Sequence, residues 1–276
     1  MTHFALTRRQ GLIGLAGLAA SLSVTVSATG TMAQSAASKT FVLVHGAWHG
    51  GWCWHKVIPQ LLAQGHRVYA PSLTGLGDRS HLITPETDLG THVSDIVNLL
   101  EFNDLKNVIL VGHSYAGMVI TGVAAKAAVR IGHLVYLDAF LPEDGMSLND
   151  YMSDKGREIF AANARDHGDG WRLPFDGSFT LEGLGVSDPT DQDWMRPRLT
   201  DQPYASFTQA VEVPEGLWDA VRGSYVLCSR RPHYIAMAER AVAMGFARAG
   251  LQDKGHDAMV TQPDEVAEVL LKLASA

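Results

Sequence analysis

Short apolar runs rich in β-branched residues alternate along this chain with longer stretches whose apolar residues recur at helical spacing. The short runs are Phe41–His45, Arg67–Pro71, Asn107–Val111, His133–Asp138, Ser224–Cys228 and Phe246–Leu251. Each reads as a strand in a buried sheet. The helical stretches are Trp54–Gln64, Leu89–Phe102, Met118–Val129 and Pro263–Ala274. In Leu89–Phe102 the apolar stripe is Val93, Ile96, Val97 and Leu100. Strands alternating with helices predict an α/β fold, a six-stranded, mostly parallel sheet with helices on both faces.

The alternation stops between the fourth and fifth strands. Residues 140–222 are rich in Gly, Asp, Pro and aromatics, among them Tyr151, Phe160, Trp171, Phe175, Trp194, Tyr204, Phe207 and Trp218. A structureless loop of that length is improbable in a compact domain. The segment is expected to be an inserted cap over the C-terminal edge of the sheet, where open α/β sheets bind ligands. Its aromatics would form a small core and line part of a pocket.

The first 33 residues stand outside this pattern. Thr7-Arg8-Arg9-Gln10 leads into an uncharged, small and apolar stretch from Gly11 to Val26, and Thr31-Met32-Ala33 resembles a cleavage site. This predicts a twin-arginine leader over 1–33, a single domain over 34–276, and a periplasmic or secreted destination. The formal charge is −7, and both leader arginines are basic, so the remainder is more acidic still. That argues against a nucleic-acid or anionic membrane surface as partner. Hydrophobic content of 46% is ordinary for a globular chain. Cys53 and Cys228 read as buried free thiols, with one long-range disulfide as the alternative.

Chemistry concentrates where the third strand ends. Gly112-His113-Ser114-Tyr115-Ala116-Gly117 follows the strand at once and precedes a helix. A serine at so tight a turn is the nucleophile elbow, which needs small residues two before and two after it, here Gly112 and Ala116. A serine nucleophile needs a base, and His256 lies in the last loop before the closing helix, over the elbow. The base needs an orienting acid. The loop after the fifth strand, Cys228–His233, contains none. Asp138, at the end of the fourth strand, is therefore expected to be the acid, with Glu239, Asp144 and Glu143 as reserves. The oxyanion donors would be the backbone N–H groups of Tyr115 and Ala47. His45, His49, Cys53 and His55 suggest a metal, but glycines 46, 50 and 51 break any helix that would align them and no acid is near in sequence. Neither a metal nor a cofactor is expected.

These segments together resemble the α/β-hydrolase fold, within it the branch of plant methyl-ester esterases (salicylate- and jasmonate-type) and hydroxynitrile lyases. The resemblance rests on 41–54, 70–78, 111–118, 136–145 and 255–259. It implies a serine carboxylesterase acting through an acyl-enzyme, and the aromatics of the inserted segment suggest small apolar or aromatic esters as its substrates. The lyases of the branch carry threonine where this chain has Gly46, and lysine where it has Asp257, so both positions favour the esterase. The plant acid after the fifth strand is missing, which leaves the role to Asp138, as in some bacterial relatives. The leader implies a bacterial exported member. Two rivals remain: cyanohydrin cleavage on the same residues, and a periplasmic binder of small molecules without turnover.

Overall fold

The computed structural model describes residues 38–175, 179–251 and 253–276. The expected leader over 1–33 lies outside the described residues. The strands are β1 (Thr40–Val44), β2 (Arg67–Tyr69), β3 (Val108–His113), β4 (Ile131–Leu137), β5 (Arg172–Leu173), β6 (Gln202–Pro203), β7 (Gly223–Leu227) and β8 (Ala247–Gly250). Six form one sheet in the order β2-β1-β3-β4-β7-β8. Every ladder in it is parallel. The elbow strand β3 lies between β1 and β4, so the loops after all three meet at one edge.

The helices are α1 (Ile58–Ala63), α2 (Leu89–Phe102), α3 (Ala116–Ala127), α4 (Asp154–His167), α5 (Pro189–Met195), α6 (Ala205–Thr208), α7 (Leu217–Ala220), α8 (Pro232–Ala243), α9 (Ala258–Thr261) and α10 (Pro263–Ser275). Side chains alternate across the strands. Val42 and Val44 join Ile96 of α2, Val123 of α3 and Met237 of α8 in one core. Phe41 and Leu43 join Leu61 of α1 and Leu270 of α10 in the other. α2 starts where Asp88 accepts from the Thr91 N–H and the Thr91 hydroxyl closes the reciprocal bond, a capping box. Among the described residues no helix is long and apolar enough to cross a membrane.

Some boundaries differ from the sequence expectation. The helix expected over Trp54–Gln64 is a 3-10 turn at Gly51–Trp54 followed by α1, whose first turn holds Pro59. Proline has no N–H to give and fits only there. β4 ends at Leu137, so Asp138 sits one residue beyond the strand at φ +43°. A helix at Pro232–Ala243 was not expected, because Arg230-Arg231-Pro232-His233 reads as loop; Pro232 instead opens α8. Among the described residues, four helices and the antiparallel β5–β6 pair lie between β4 and β7. Cys53 and Cys228 are both buried and unpaired.

Candidate active site

Ser114 sits between β3 and α3 at φ +55°. For a residue with a side chain this left-handed conformation is strained, and it persists only where neighbours hold it. They do so by close packing. A Cβ on Gly112 would meet the Ala116 carbonyl oxygen at 2.8 Å, and one on Gly117 would collide with the Phe140 backbone. The next residue is anchored by its side chain: Tyr115 Oη donates to His92 Nδ1 at 2.7 Å. His92 Nε2–H donates in turn to the Thr74 carbonyl at 2.9 Å.

The structure brings His256 and Asp138 to the same edge. His256 Nδ1 is 2.8 Å from Asp138 Oδ2, and both side chains are buried. Asp138 Oδ1 accepts from the N–H groups of Cys228 and Ser229, at 2.9 and 3.0 Å. The loop after β7 thus supplies no carboxylate but holds the one that comes from β4. Burial alone would raise the Asp138 pKa; the hydrogen bonds from His256 and Ser229 outweigh it and hold the carboxyl below its ordinary value. The reserves are elsewhere: Glu143 pairs with Arg240 at 3.2 Å, Asp144 accepts from the Val213 N–H, and Glu239 is exposed on α8.

Among the described residues neither the Ala47 nor the Tyr115 N–H finds an acceptor, so both donors are free. The loop of Ala47 is fixed from outside. Trp48, at φ +63°, receives a carbonyl and an amide from the inserted segment: its backbone N–H donates to Gln202 Oε1 and its Nε1–H to the Leu173 carbonyl. Gly46 has no room for a side chain, since a Cβ would lie 2.9 Å from both His113 Nδ1 and Ser114 Cβ.

Sequence reasoning missed two groups. Tyr234, on α8, is buried, with Oη 3.2 Å from Ser114 Oγ and 3.4 Å from His256 Nε2. Nothing local in the sequence marks it, since it belongs to the helix that was not expected. Asp257 is fully buried beside His49 Nε2, at 3.3 Å, and His113 Nε2, at 3.7 Å. The acid absent from the sequence neighbourhood of His49 is therefore present in space. The 3.3 Å distance suits an ion pair, yet neither Asp257 oxygen is aligned for a hydrogen bond. The Asp257 pKa, which burial would raise, is lowered to about 2 by His49, His113 and His256. His49, which burial would push down, is raised by Asp257.

The four residues weighed as metal ligands do not converge. His45 Nδ1–H donates to the Gly46 carbonyl while its Nε2 accepts from the Leu73 N–H; His49 Nδ1–H donates to the Ala47 carbonyl; His55 stacks on Trp194. The ligand atoms of His113, His256 and Asp257 do lie within 4.8 Å of one another. Two of that set are already committed: His113 Nε2–H donates to the His256 carbonyl at 3.0 Å, and His256 Nδ1 serves Asp138.

Ser114, Ala47, Tyr234 and His256 open onto a cavity of about 120 Å³ walled by Trp48, Phe140, Phe160, Phe179 and Phe207. Its aromatics interlock, with Trp48–Phe179 centroids 4.9 Å apart and Phe160–Phe179 5.0 Å. An apolar cavity of roughly 150 Å³ accepts benzene, so this wall suits one small apolar or aryl group. Hollows of about 250 and 280 Å³ lie elsewhere and are lined by neither Ser114 nor His256.

Residues 41–269 match the family described as Alpha/beta hydrolase family. A carbendazim hydrolyzing esterase of Nocardioides sp. (strain SG-4G) is 37% identical over 84% of this chain and 98% of that protein. Methylesterase 1 of Arabidopsis thaliana is 28% identical over 88% of this chain and 98% of its own length. Among solved structures, an extracellular alpha/beta-hydrolase from a Paenibacillus species superposes with a TM-score of 0.74 at 24% identity, covering 85% of this chain and 98% of that one. That structure is described as sharing structural and functional homology with tobacco salicylic acid binding protein 2.

Proposed function

The chain belongs to the Alpha/beta hydrolase family and is a carboxylic ester hydrolase; from that premise we propose that Ser114, His256 and Asp138 carry the reaction through an acyl-enzyme. Ser114 attacks the ester carbonyl as His256 receives its proton. The tetrahedral oxyanion rests on the N–H groups of Ala47 and Tyr115, and each such donor is typically worth about 10²–10³ in rate. His256 protonates the leaving alcohol, then activates the water that releases the acid. The observation that carries the reading is the buried pair of His256 Nδ1 and Asp138 Oδ2 at 2.8 Å, with His256 and Ser114 lining the same aromatic cavity.

The substrate we infer is a small ester with an apolar or aryl part seated against Trp48 and Phe160. Relatives named methylesterases support a small leaving alcohol. The packing at Gly46 counts against the lyase alternative, since the threonine those enzymes carry would strike His113 and Ser114. The Arg8-Arg9 run supports export of the folded protein to the periplasm or beyond.

The test is covalent labelling. A fluorophosphonate should modify the wild-type protein at Ser114, and Ser114→Ala should neither label nor hydrolyse a p-nitrophenyl ester. Hydrolysis that survives in Ser114→Ala would remove the nucleophile from this reading.

A further inference from the structure

Tyr234 occupies a place that a serine, a histidine and an aspartate do not require. Its hydroxyl lies 3.2 Å from Ser114 Oγ and 3.4 Å from His256 Nε2, so it bridges nucleophile and base. Its ring lies almost parallel to the imidazole, centroids 4.8 Å apart at 10°. Phe140 packs edge-on against the same ring at 5.5 Å. Only 3% of the residue is exposed, so the phenol is held rather than free to wander.

The proton positions follow from the donors available. His256 Nδ1 faces a carboxylate, which cannot donate when ionised, so Nδ1 carries the hydrogen and Nε2 is a bare acceptor. Tyr234 Oη has one hydrogen. It is given to Nε2, so Tyr234 donates to His256 and accepts from Ser114. Resting Ser114 therefore faces the base through a phenol.

We propose that the Tyr234 hydroxyl passes the proton from Ser114 to His256 during acylation, a step that rests on the assignment of Ser114 as nucleophile. As Ser114 Oγ bonds to the carbonyl carbon, its O–H bond breaks and that proton joins Tyr234 Oη. The proton already on Oη moves to His256 Nε2. The carbonyl π pair collects on the oxygen facing Ala47 and Tyr115. The phenol ends neutral, as it began, and the imidazolium formed faces Asp138. Burial and the nearby Asp138 push the Tyr234 pKa up, which favours a phenol that relays protons over one that rests ionised.

A phenol that merely fills space makes the opposite prediction, because removing its hydroxyl would let Ser114 and His256 meet. Tyr234→Phe keeps the ring and its stacking. In this variant we expect fluorophosphonate labelling of Ser114 and kcat for a p-nitrophenyl ester both to fall on the order of 10²-fold, the scale of a lost proton-transfer group. KM should hold. Rates in mixed light and heavy water should curve with deuterium fraction in the wild type, as two moving protons require, and become linear in the variant. Labelling of Tyr234→Phe at the wild-type rate or faster overturns the relay and leaves the nucleophile assignment standing. Should Tyr234→Phe fail to fold, a linear dependence on deuterium fraction in the wild type overturns it equally. Wild-type protein that does not label at Ser114 brings down both readings together.

Discussion

Two buried aspartates flank His256, and they are placed on opposite terms. Asp138 has every oxygen engaged, by His256 Nδ1 and by the N–H groups of Cys228 and Ser229. Asp257 is just as buried, next in sequence to the histidine, and its carboxylate oxygens make no hydrogen bond among the described residues. It is held instead by charge, beside His49, while His113, 3.7 Å away, stays neutral. Adjacency in sequence therefore misleads here. The carboxylate bonded to the imidazole is the one that follows a strand over a hundred residues away. A carboxylate in a fork of donors fixes a direction, whereas one held by electrostatic attraction fixes only a charge.

The comparison is sharpest in paired substitutions. Asp138→Asn should lower kcat by roughly 10³–10⁴-fold, because an amide facing Nδ1 donates and flips the imidazole to the wrong tautomer. Asp257→Asn should lower kcat by less than about tenfold, since no proton on the reacting face depends on it; its side-chain amide can donate to a neutral His49 Nε2. Ester hydrolysis by both variants, read beside circular dichroism to check folding, decides it. Equal losses in turnover would erase the distinction. The next effect down is at Gly46. Gly46→Ala places a methyl group against His113 and Ser114 and should cost about 1–3 kcal/mol of stability as an overpacked contact. Urea unfolding checks this, and an unchanged midpoint would mean that the elbow yields more easily than its packing implies.

The sheet was legible because its signals are local. Val108–Val111 is an apolar run followed at once by glycine, serine and small residues, and both the strand and the elbow follow from that. The contact between Asp138 and His256 was legible by elimination, since Cys228–His233 has no acid to offer. Two things were not legible. α8 begins in Arg-Arg-Pro-His, whose local composition resembles a loop; its helix depends on Tyr234, Met237 and Ala241 finding the sheet, a tertiary fact. The pairing of Asp257 with His49 joins loops some two hundred residues apart, and no spacing rule records it. In the inserted segment the aromatics read as small core and pocket wall at once; Phe160 and Phe207 do both, packing on Trp48 and facing Ser114's cavity.

The smallest expected effect is a difference in stability between wild type and Asp257→Asn that depends on pH. His49 has a raised pKa in the fold, so its contribution is fully present below its unfolded value near 6.5 and is lost as pH rises through the higher folded value. Asp257 is lowered from 3.8 to about 2, so its contribution is present above 3.8 and is lost as pH falls toward 2. The pair therefore stabilises the wild type most between about pH 4 and 6.5. Background acid sensitivity is large. His45 and His113 are pushed down to about 3, and His133 and His233 to about 4, all chiefly by burial. Each stays neutral in the fold while the unfolded chain takes up a proton below 6.5, so both proteins lose stability on acidification. That loss is largely common to the two and drops out of the difference, with His113 the exception because it touches Asp257 itself. Urea midpoints at pH 5.5 and pH 9 should thus show a gap that narrows at the higher value. A gap of constant size would mean that His49 is neutral throughout, and that Asp257 is held by its surroundings without a charged partner.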